Sequence, residues 1–243
     1  MRRSMSNTTR GGSQANAAAP ISFLPPGAYT ESRHMNRAWG WAQLAVAYGL
    51  LQVALWTTPP TQLIAGWAAA VWIVAVTVGN RRSLRELGLG LSGLRGALIA
   101  VSIAAVAAAL ILLAGYAAGT LRILYGPTPP LWHSAGYAVW ALEQEFILQS
   151  FFFVTLEKLL RDSTKALWGA AILFSAAHIP NPLLVAATFL AALFFVSIFR
   201  RYRNLYPLGL AHAMLGLSLA VTVPDALIHH MRVGISYLNF VVR

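Results

Sequence analysis

Two acidic side chains, Glu143 and Glu145, lie inside an otherwise apolar stretch, "ALEQEFILQSFF" at residues 141–152. Two histidines, His178 and His212, lie within or at the ends of other apolar runs. In apolar surroundings a carboxylate has a raised proton affinity, and beside a neutral histidine it can act as a general base on water. These residue types therefore predict a hydrolase.

The same residues leave other chemistry open. A second histidine or an amide donor could stabilise the oxyanion that forms when water attacks a carbonyl. Glu145, His178 and His212 could also hold a divalent metal such as zinc, or could relay protons, since both residue types serve as ligands and as proton carriers. We therefore carry a metal site and a proton-coupled transporter as alternatives to a metal-free hydrolase.

Helix geometry separates the two carboxylates. At about 100° per residue, Glu143 and Glu145 point about 200° apart, whereas Glu145 and Gln149 at i, i+4 share a face. Gln144 lies between them in the sequence. We expect Glu145 and Gln149 to face the interior and Glu143 to turn away.

The composition shows which elements must position these groups. Of the 243 residues, 58% are hydrophobic and 10% are charged, whereas soluble domains carry about 25% charged residues. Seven apolar runs are long enough to predict membrane helices. They are residues 38–57, 61–79, 96–118, 132–159, 165–179, 182–199 and 205–222. The fold class is therefore predicted as all-α, a polytopic membrane bundle of about seven helices over residues 38–243, preceded by a disordered basic tail at residues 1–37.

The basic residues indicate the topology. The net charge is +11, but Lys and Arg form small groups at the ends of apolar runs, which favours a lipid bilayer as partner and argues against nucleic acid. Fifteen of the eighteen fall on one side of the predicted bundle. By the positive-inside rule the N-terminus is expected in the cytoplasm and the C-terminus outside. With no cysteine in the chain, disulfides, thiolate metal sites and a cysteine nucleophile are excluded.

Two segments interrupt the runs. The Arg-rich stretch at residues 80–96 is predicted as an interfacial connector rather than a span. "HIPNPLL" at residues 178–184 must break the helix, because its prolines remove backbone donors and restrict the residues before them. Asn181 within it is explained first by turn formation, and second as an amide that lines a polar cavity.

Three motifs resemble the CPBP family of intramembrane proteases, the CAAX-processing and bacteriocin-processing group also called Abi. The likeness covers roughly residues 80–234. A family motif of two Glu followed after three residues by Arg corresponds to "QEFILQ", with Gln144, Glu145 and Gln149 at its key positions. "FSAAH" matches the second motif with Phe174 and His178, and "HAMLG" resembles the third, in which Gly216 replaces an Asn after His212.

The resemblance implies a helical bundle around a polar chamber and hydrolysis of a peptide bond by a Glu-activated water. We assign water activation to Glu145, assisted by His178, and the oxyanion site to His212, with Glu143 a less suitable base. Gln144, Gln149, Asn181, Phe174 and Gly216 are predicted to line the substrate cavity.

The resemblance also implies a membrane protein or lipidated peptide as substrate, and the plasma membrane of a prokaryote as location. Because the first Glu and the Asn of the motifs are replaced, a catalytically inactive relative is the alternative. Such a relative would bind a membrane peptide or give bacteriocin immunity.

Overall fold

The computed structural model of the chain describes residues 36–122 and 130–240, and it is helical throughout these ranges, with no strand among them. The predicted tail, apart from residues 36 and 37, lies outside the described residues. The principal helices are α1 (Arg37–Trp56), α2 (Thr61–Gly79), α3 (Leu94–Ala117), α4 (Pro130–Glu145), α5 (Val154–Leu160), α6 (Ser163–Ala176), α7 (Pro182–Tyr202) and α8 (Tyr206–Thr222).

Each apolar run predicted from the sequence is helical in the structure. Among the described residues, α1, α2, α3 and α7 are long and apolar enough to cross a membrane, and α8 is a shorter apolar helix. The prediction of a polytopic helical membrane protein is therefore confirmed. The number of seven spans stays a prediction.

The outer and inner faces of α3 carry side chains of different size. On α3, Val106 and Leu110 are 63% and 62% exposed, as expected of a surface that contacts lipid tails. The buried face of the same helix carries Ala97, Ala100 and Ala104, and α3 packs closely on α8. Small residues on this face let the two backbones approach, which is the usual means of packing helices in a bilayer.

The run predicted at residues 132–159 is one continuous helical stretch with a change of winding. After α4 ends at Glu145, residues Phe146–Phe153 form a π-helical turn, called the π segment below, before the α-helix resumes in α5. Such turns are rare and are often found at functional sites. Hydrophobic periodicity did not predict it.

The connector between α2 and α3, which the sequence predicts not to span the membrane, is folded into turns and docked on the bundle. The backbone N–H of Leu205 donates to the carbonyl of Gly88 at 2.9 Å. The side-chain amide of Asn204 donates to the carbonyl of Gly90 at 2.7 Å. These bonds fix the connector to the short loop between α7 and α8.

After α8 the chain forms α9 (Asp225–Ile228), a single 3₁₀ turn (His229–Met231) and α10 (Gly234–Leu238). This segment returns to the bundle, because the backbone N–H of Gly234 donates to the carbonyl of Ile179 at 2.9 Å.

Candidate active site

Glu145, the last residue of α4, is fully buried and paired. One carboxylate oxygen, Oε1, lies 2.9 Å from Nδ1 of His212 on α8. The other, Oε2, accepts a hydrogen bond of 3.0 Å from the side-chain amide of Gln149, which is also fully buried. The expectation that Glu145 and Gln149 share an inward face agrees with this arrangement. A buried carboxylate in a bilayer protein therefore has a polar partner on each oxygen.

Two glycines on α8 bring His212 within reach of Glu145. Gly209 and Gly216 flank His212 at i−3 and i+4, so the three lie on one side of the helix. A Cβ at Gly209 would lie 3.1 Å from the Cα of Leu142 on α4, so α4 passes directly over this position. Any side chain at Gly209 would push the helices apart and lengthen the distance between Glu145 and His212.

Aromatic rings hold both imidazoles in place. Phe195 of α7 stacks on the ring of His212, with 5.9 Å between centroids and 20° between planes. Phe174 of α6 makes edge contacts with His178 at 5.0 Å and with His212 at 6.2 Å. Phe174 therefore contacts both imidazoles.

His178, which the sequence predicts to assist Glu145, makes its hydrogen bond to the backbone. Its Nδ1–H donates to the carbonyl of Phe174 at 2.8 Å. The reason is local: the last carbonyls of a helix have no intrahelical partner, and His178 lies two residues beyond the end of α6. The carboxylate pairs instead with His212, for which the sequence predicted the oxyanion site.

The remaining predicted site residues lie farther from the pair. Glu143 is exposed, as the helical geometry predicts, and Gln144 is partly buried. Asn181 is fully buried and caps α7: its Oδ1 accepts from the backbone N–H of Leu184 at 3.2 Å. Its Nδ2 donates to the carbonyls of Ile228 at 2.9 Å and Arg232 at 3.2 Å. The side-chain oxygen thus caps the helix that follows the break, and the amide N–H groups hold the break to the segment after α8.

The hydrogen bonds define which nitrogen of each imidazole carries a proton. A backbone carbonyl only accepts, so Nδ1 of His178 carries the proton. The same holds for His212 when Glu145 is ionised. In the neutral ring the other nitrogen, Nε2, then has a lone pair. A carboxylate that holds Nδ1–H in this way orients the ring and stabilises the imidazolium that forms when Nε2 takes a proton. The pair can therefore act as a general base.

The alternative of a metal ion finds no three-ligand arrangement within residues 36–122 and 130–240. No group of three or more His, Asp or Glu side chains there is placed to hold an ion. In particular, Glu145 and His212 are bonded to each other, and Nδ1 of His178 is turned to the carbonyl of Phe174.

Arg82 and Tyr137, which the sequence motifs do not include, contact the elements that carry the pair. Arg82 of the connector is buried, and it donates to the carbonyl of Ser150 in the π segment at 2.6 Å and to the hydroxyl of Thr155 at 2.7 Å. Tyr137 lies two turns before Glu145, and its ring occupies the space beside Gly216. In the sequence, Tyr137 is distinguished only by lying on the same predicted helix as Glu145. Arg82 is distinguished only as one of the basic residues that indicate the topology.

Fold and site together define a class: a polytopic helical membrane protein with a buried Glu–His pair between two closely packed helices. Residues 126–218 match the model of a protein family described as type II CAAX prenyl endopeptidase Rce1-like. The match includes α4, the π segment, α6 and most of α8, and so includes Glu145, His178 and His212. It confirms the resemblance to CAAX-processing membrane proteases that the motifs indicate. The chain has no significant match among curated proteins or among solved structures.

Proposed function

We propose that this protein is an intramembrane endopeptidase that hydrolyses a peptide bond of a membrane-associated substrate, and that the Glu145–His212 pair activates the water. The observation that carries the proposal is the bond of 2.9 Å between a fully buried carboxylate and an imidazole. The match of residues 126–218 to a protease family supports it. Ionisable side chains inside a membrane bundle are energetically costly, and where they occur they usually serve a function.

The proposed steps balance protons and bonds. A water molecule at Nε2 of His212 gives a proton to that nitrogen as its oxygen forms a bond to the scissile carbonyl carbon. The carbonyl oxygen takes the electron pair and becomes an oxyanion, while Glu145 stabilises the new imidazolium through Nδ1–H. When the C–N bond breaks, the proton on Nε2 passes to the leaving amine. General-base catalysis of this kind contributes about 10²–10⁴-fold to a rate.

His178 has an assisting role in this proposal. Because Nδ1 donates to the carbonyl of Phe174, the ring is held in a fixed orientation, and Phe174 contacts both this ring and that of His212. Its Nε2 can accept a hydrogen bond from the water or from the leaving amine. This keeps the assisting role of His178 and moves His212 from the oxyanion site to the activation of water.

The same match supports a proposal for the substrate, and the basic residues support one for the orientation in the membrane. We propose a membrane protein or a lipidated peptide as substrate, since the reacting groups lie inside an apolar bundle. We propose the plasma membrane of a prokaryote as location. The distribution of Lys and Arg along the chain supports an N-terminus in the cytoplasm.

The test uses the full chain in proteoliposomes with two fluorescence-quenched probes. One is a farnesylated peptide that ends in a CAAX sequence, and the other is a protein with a single membrane span. Glu145→Gln is expected to lower kcat/KM by about 10²–10⁴-fold, because a glutamine N–H directed at Nδ1 would favour the tautomer in which Nε2 carries the proton. His212→Ala should lose activity to a similar extent.

Glu143→Gln is the matched control, since it makes the same substitution two residues away on the exposed face of α4. It should keep the wild-type rate. Equal rates for Glu145→Gln and the wild type would contradict the mechanism. Retention of an uncleaved probe by the wild type would support the peptide-binding alternative instead.

A further inference from the structure

The chain after Glu145 is wound differently from the helices on either side of it, and the hydrogen bonds of its backbone change at one carbonyl. The backbone N–H of Val154 bonds to the carbonyls of Gln149 and Phe151, five and three residues before it. In an α-helix its partner would be the carbonyl of Ser150, four residues before it. The π segment therefore passes over the Ser150 carbonyl.

Arg82 of the connector binds that carbonyl. It is 8% exposed, and its Nη1 donates to the carbonyl oxygen of Ser150 at 2.6 Å. Its Nη2 donates to the hydroxyl of Thr155 at 2.7 Å, and the hydroxyl of Ser150 donates to the carbonyl of Leu87 at 2.6 Å. Because a buried carbonyl needs a partner, the guanidinium takes the place that the N–H of Val154 has in an α-helix. It thereby favours the π winding.

The winding of the π segment sets the direction in which Glu145 points. A π turn closes its hydrogen bonds at i+5 instead of i+4, so it holds about one residue more than an α turn. One residue corresponds to about 100° of rotation in an α-helix. The chain after the segment is fixed, because Lys158 of α5 pairs with Glu86 of the connector at 2.5 Å. A return to α winding would therefore rotate α4 against α5 and carry the carboxylate of Glu145 away from His212.

We propose that Arg82 is a positioning residue for the catalytic pair and acts through the winding of the π segment. Its hydrogen bond to the Ser150 carbonyl maintains the π winding, and that winding keeps Glu145 directed at His212. This inference rests on the proposed function. Arg82 binds the segment next to the pair rather than the pair itself, and no covalent bond to it forms or breaks.

A simple fastening role for Arg82 makes a different prediction. If the arginine only attached the connector to the bundle, its loss would lower the amount of folded protein without changing how Glu145 works. Its effect on the rate would then multiply with that of an active-site substitution. A residue that acts through Glu145 has no further effect once that carboxylate is gone.

The first experiment measures cleavage of the two quenched probes by Arg82→Met in proteoliposomes, alone and combined with Glu145→Gln. Methionine has an unbranched side chain like the stem of arginine but has no donor. Alone, it should lower kcat by about 10²-fold with little change in KM, as expected for a displacement of about 1 Å at the reacting groups. In the Glu145→Gln background the same substitution should change the residual kcat by less than about twofold.

Two controls separate this effect from a loss of charge or of packing. Arg85→Met removes an exposed cation from the same connector and should retain the wild-type kcat. Gly96→Ala disturbs the packing of α3, because its Cβ would overlap the ring of Tyr202, but it leaves the Ser150 carbonyl bound. Once corrected for the amount of folded protein, its kcat should also equal that of the wild type.

Arg82→Lys tests the hydrogen bond itself. Lysine keeps one donor for the Ser150 carbonyl, so the kcat of this variant should lie between those of the wild type and Arg82→Met. A residue that acted only through stability would instead give rates in the order of the stabilities of the variants. An equal loss of kcat in the lysine and methionine variants would overturn the role of the bond.

The second experiment does not require turnover. Because the chain has no cysteine, Glu143→Cys on α4 and Lys165→Cys on α6 provide two exposed sites for nitroxide labels. Rotation of a helix by about 100° moves a group on its surface by about 8 Å. Pulsed electron double resonance should therefore show one distance in the wild type and a second population in Arg82→Met. Arg85→Met should keep the single distance.

The outcomes separate this inference from the function on which it rests. A second distance population in Arg82→Met, with no cleavage of either probe by the wild type, supports the role of Arg82 in the winding and counts against proteolysis. A single distance in Arg82→Met overturns the inference. So does a rate effect that multiplies with that of Glu145→Gln, and cleavage by the wild type then leaves the protease intact.

Discussion

Arg82 is a buried cation, and replacing it by lysine should destabilise the fold more than replacing it by methionine. Its guanidinium reaches from the connector to the carbonyl of Ser150 and to the hydroxyl of Thr155. Both acceptors lie in or next to the π segment that begins after Glu145. Lysine keeps the charge but has a point-like ammonium that cannot reach two acceptors as a planar fork does.

The magnitude follows from two opposed contributions. Burial lowers the pKa of Arg82 to about 10, well below the ordinary value of an arginine, and the nearby Glu86 acts in the opposite direction. Since a pKa difference of one corresponds to about 1.4 kcal/mol, holding the charge in the fold costs about 3 kcal/mol. The penalty applies below pH 10, where the folded protein keeps the charge. The penalty is relieved as the pH rises above 10, because Arg82 then loses its proton in the folded protein but keeps it in the unfolded chain.

Two hydrogen bonds from a charged group, at about 1.5–3 kcal/mol each, offset this penalty. Methionine removes the bonds together with the penalty, so the free energy of unfolding should fall by only about 1 kcal/mol. Lysine keeps the desolvation penalty and loses one hydrogen bond, so the free energy of unfolding of the Arg82→Lys variant should fall by about 2–3 kcal/mol.

Unfolding in mixed micelles by titration with dodecyl sulfate, followed by the fluorescence of the eight tryptophans, measures these differences. Arg85→Met is the control, because Arg85 belongs to the same connector and is exposed; its effect should lie within about 0.5 kcal/mol. If the Arg82→Lys variant is as stable as the wild type, or more stable than the Arg82→Met variant, the reasoning that the two bonds and the desolvation penalty nearly balance is refuted.

Two other predictions concern packing and topology. Gly96→Ala should lower the free energy of unfolding by about 1–3 kcal/mol, because its Cβ would overlap the ring of Tyr202. Gly49→Ala is the control and should not lower it, because a Cβ there meets only open space. Equal effects of the two variants in the micelle titration would contradict the packing argument. Because the chain has no cysteine, Lys165→Cys and Ala118→Cys introduce unique thiols. A membrane-impermeant maleimide should label the first only from the cytoplasmic side and the second only from the outside, and the reverse pattern would overturn the proposed orientation.

The helices could be predicted from the sequence because their signal is local. Seven apolar runs between basic or proline-containing loops predicted helices whose ends differ from the structure by a few residues, and the i, i+4 relation of Glu145 and Gln149 predicted their shared face. The π segment was missed, since a change from α to π winding leaves the apolar character of "FILQSFFF" unaltered.

The pairing within the site could not be predicted because it depends on contacts between helices. Nothing local to either histidine distinguishes His178 from His212 as the partner of Glu145. The choice is decided by the orphan carbonyl of Phe174, which binds one imidazole, and by the glycines of α8, which bring the other to α4. Likewise, Arg82 resembles the other basic residues at helix ends, and only the docked connector reveals that it is buried.

The ring of Tyr137 occupies the space that a side chain at position 216 would take. This has a consequence for the evolution of this protein. The two side chains share one volume, so a larger residue at either position requires a smaller residue at the other. Homologues that carry a side chain at position 216 should therefore have lost the large ring at position 137, and a change at one site should be selected only together with a change at the other. The two positions, 79 residues apart in the chain, should evolve as a single unit.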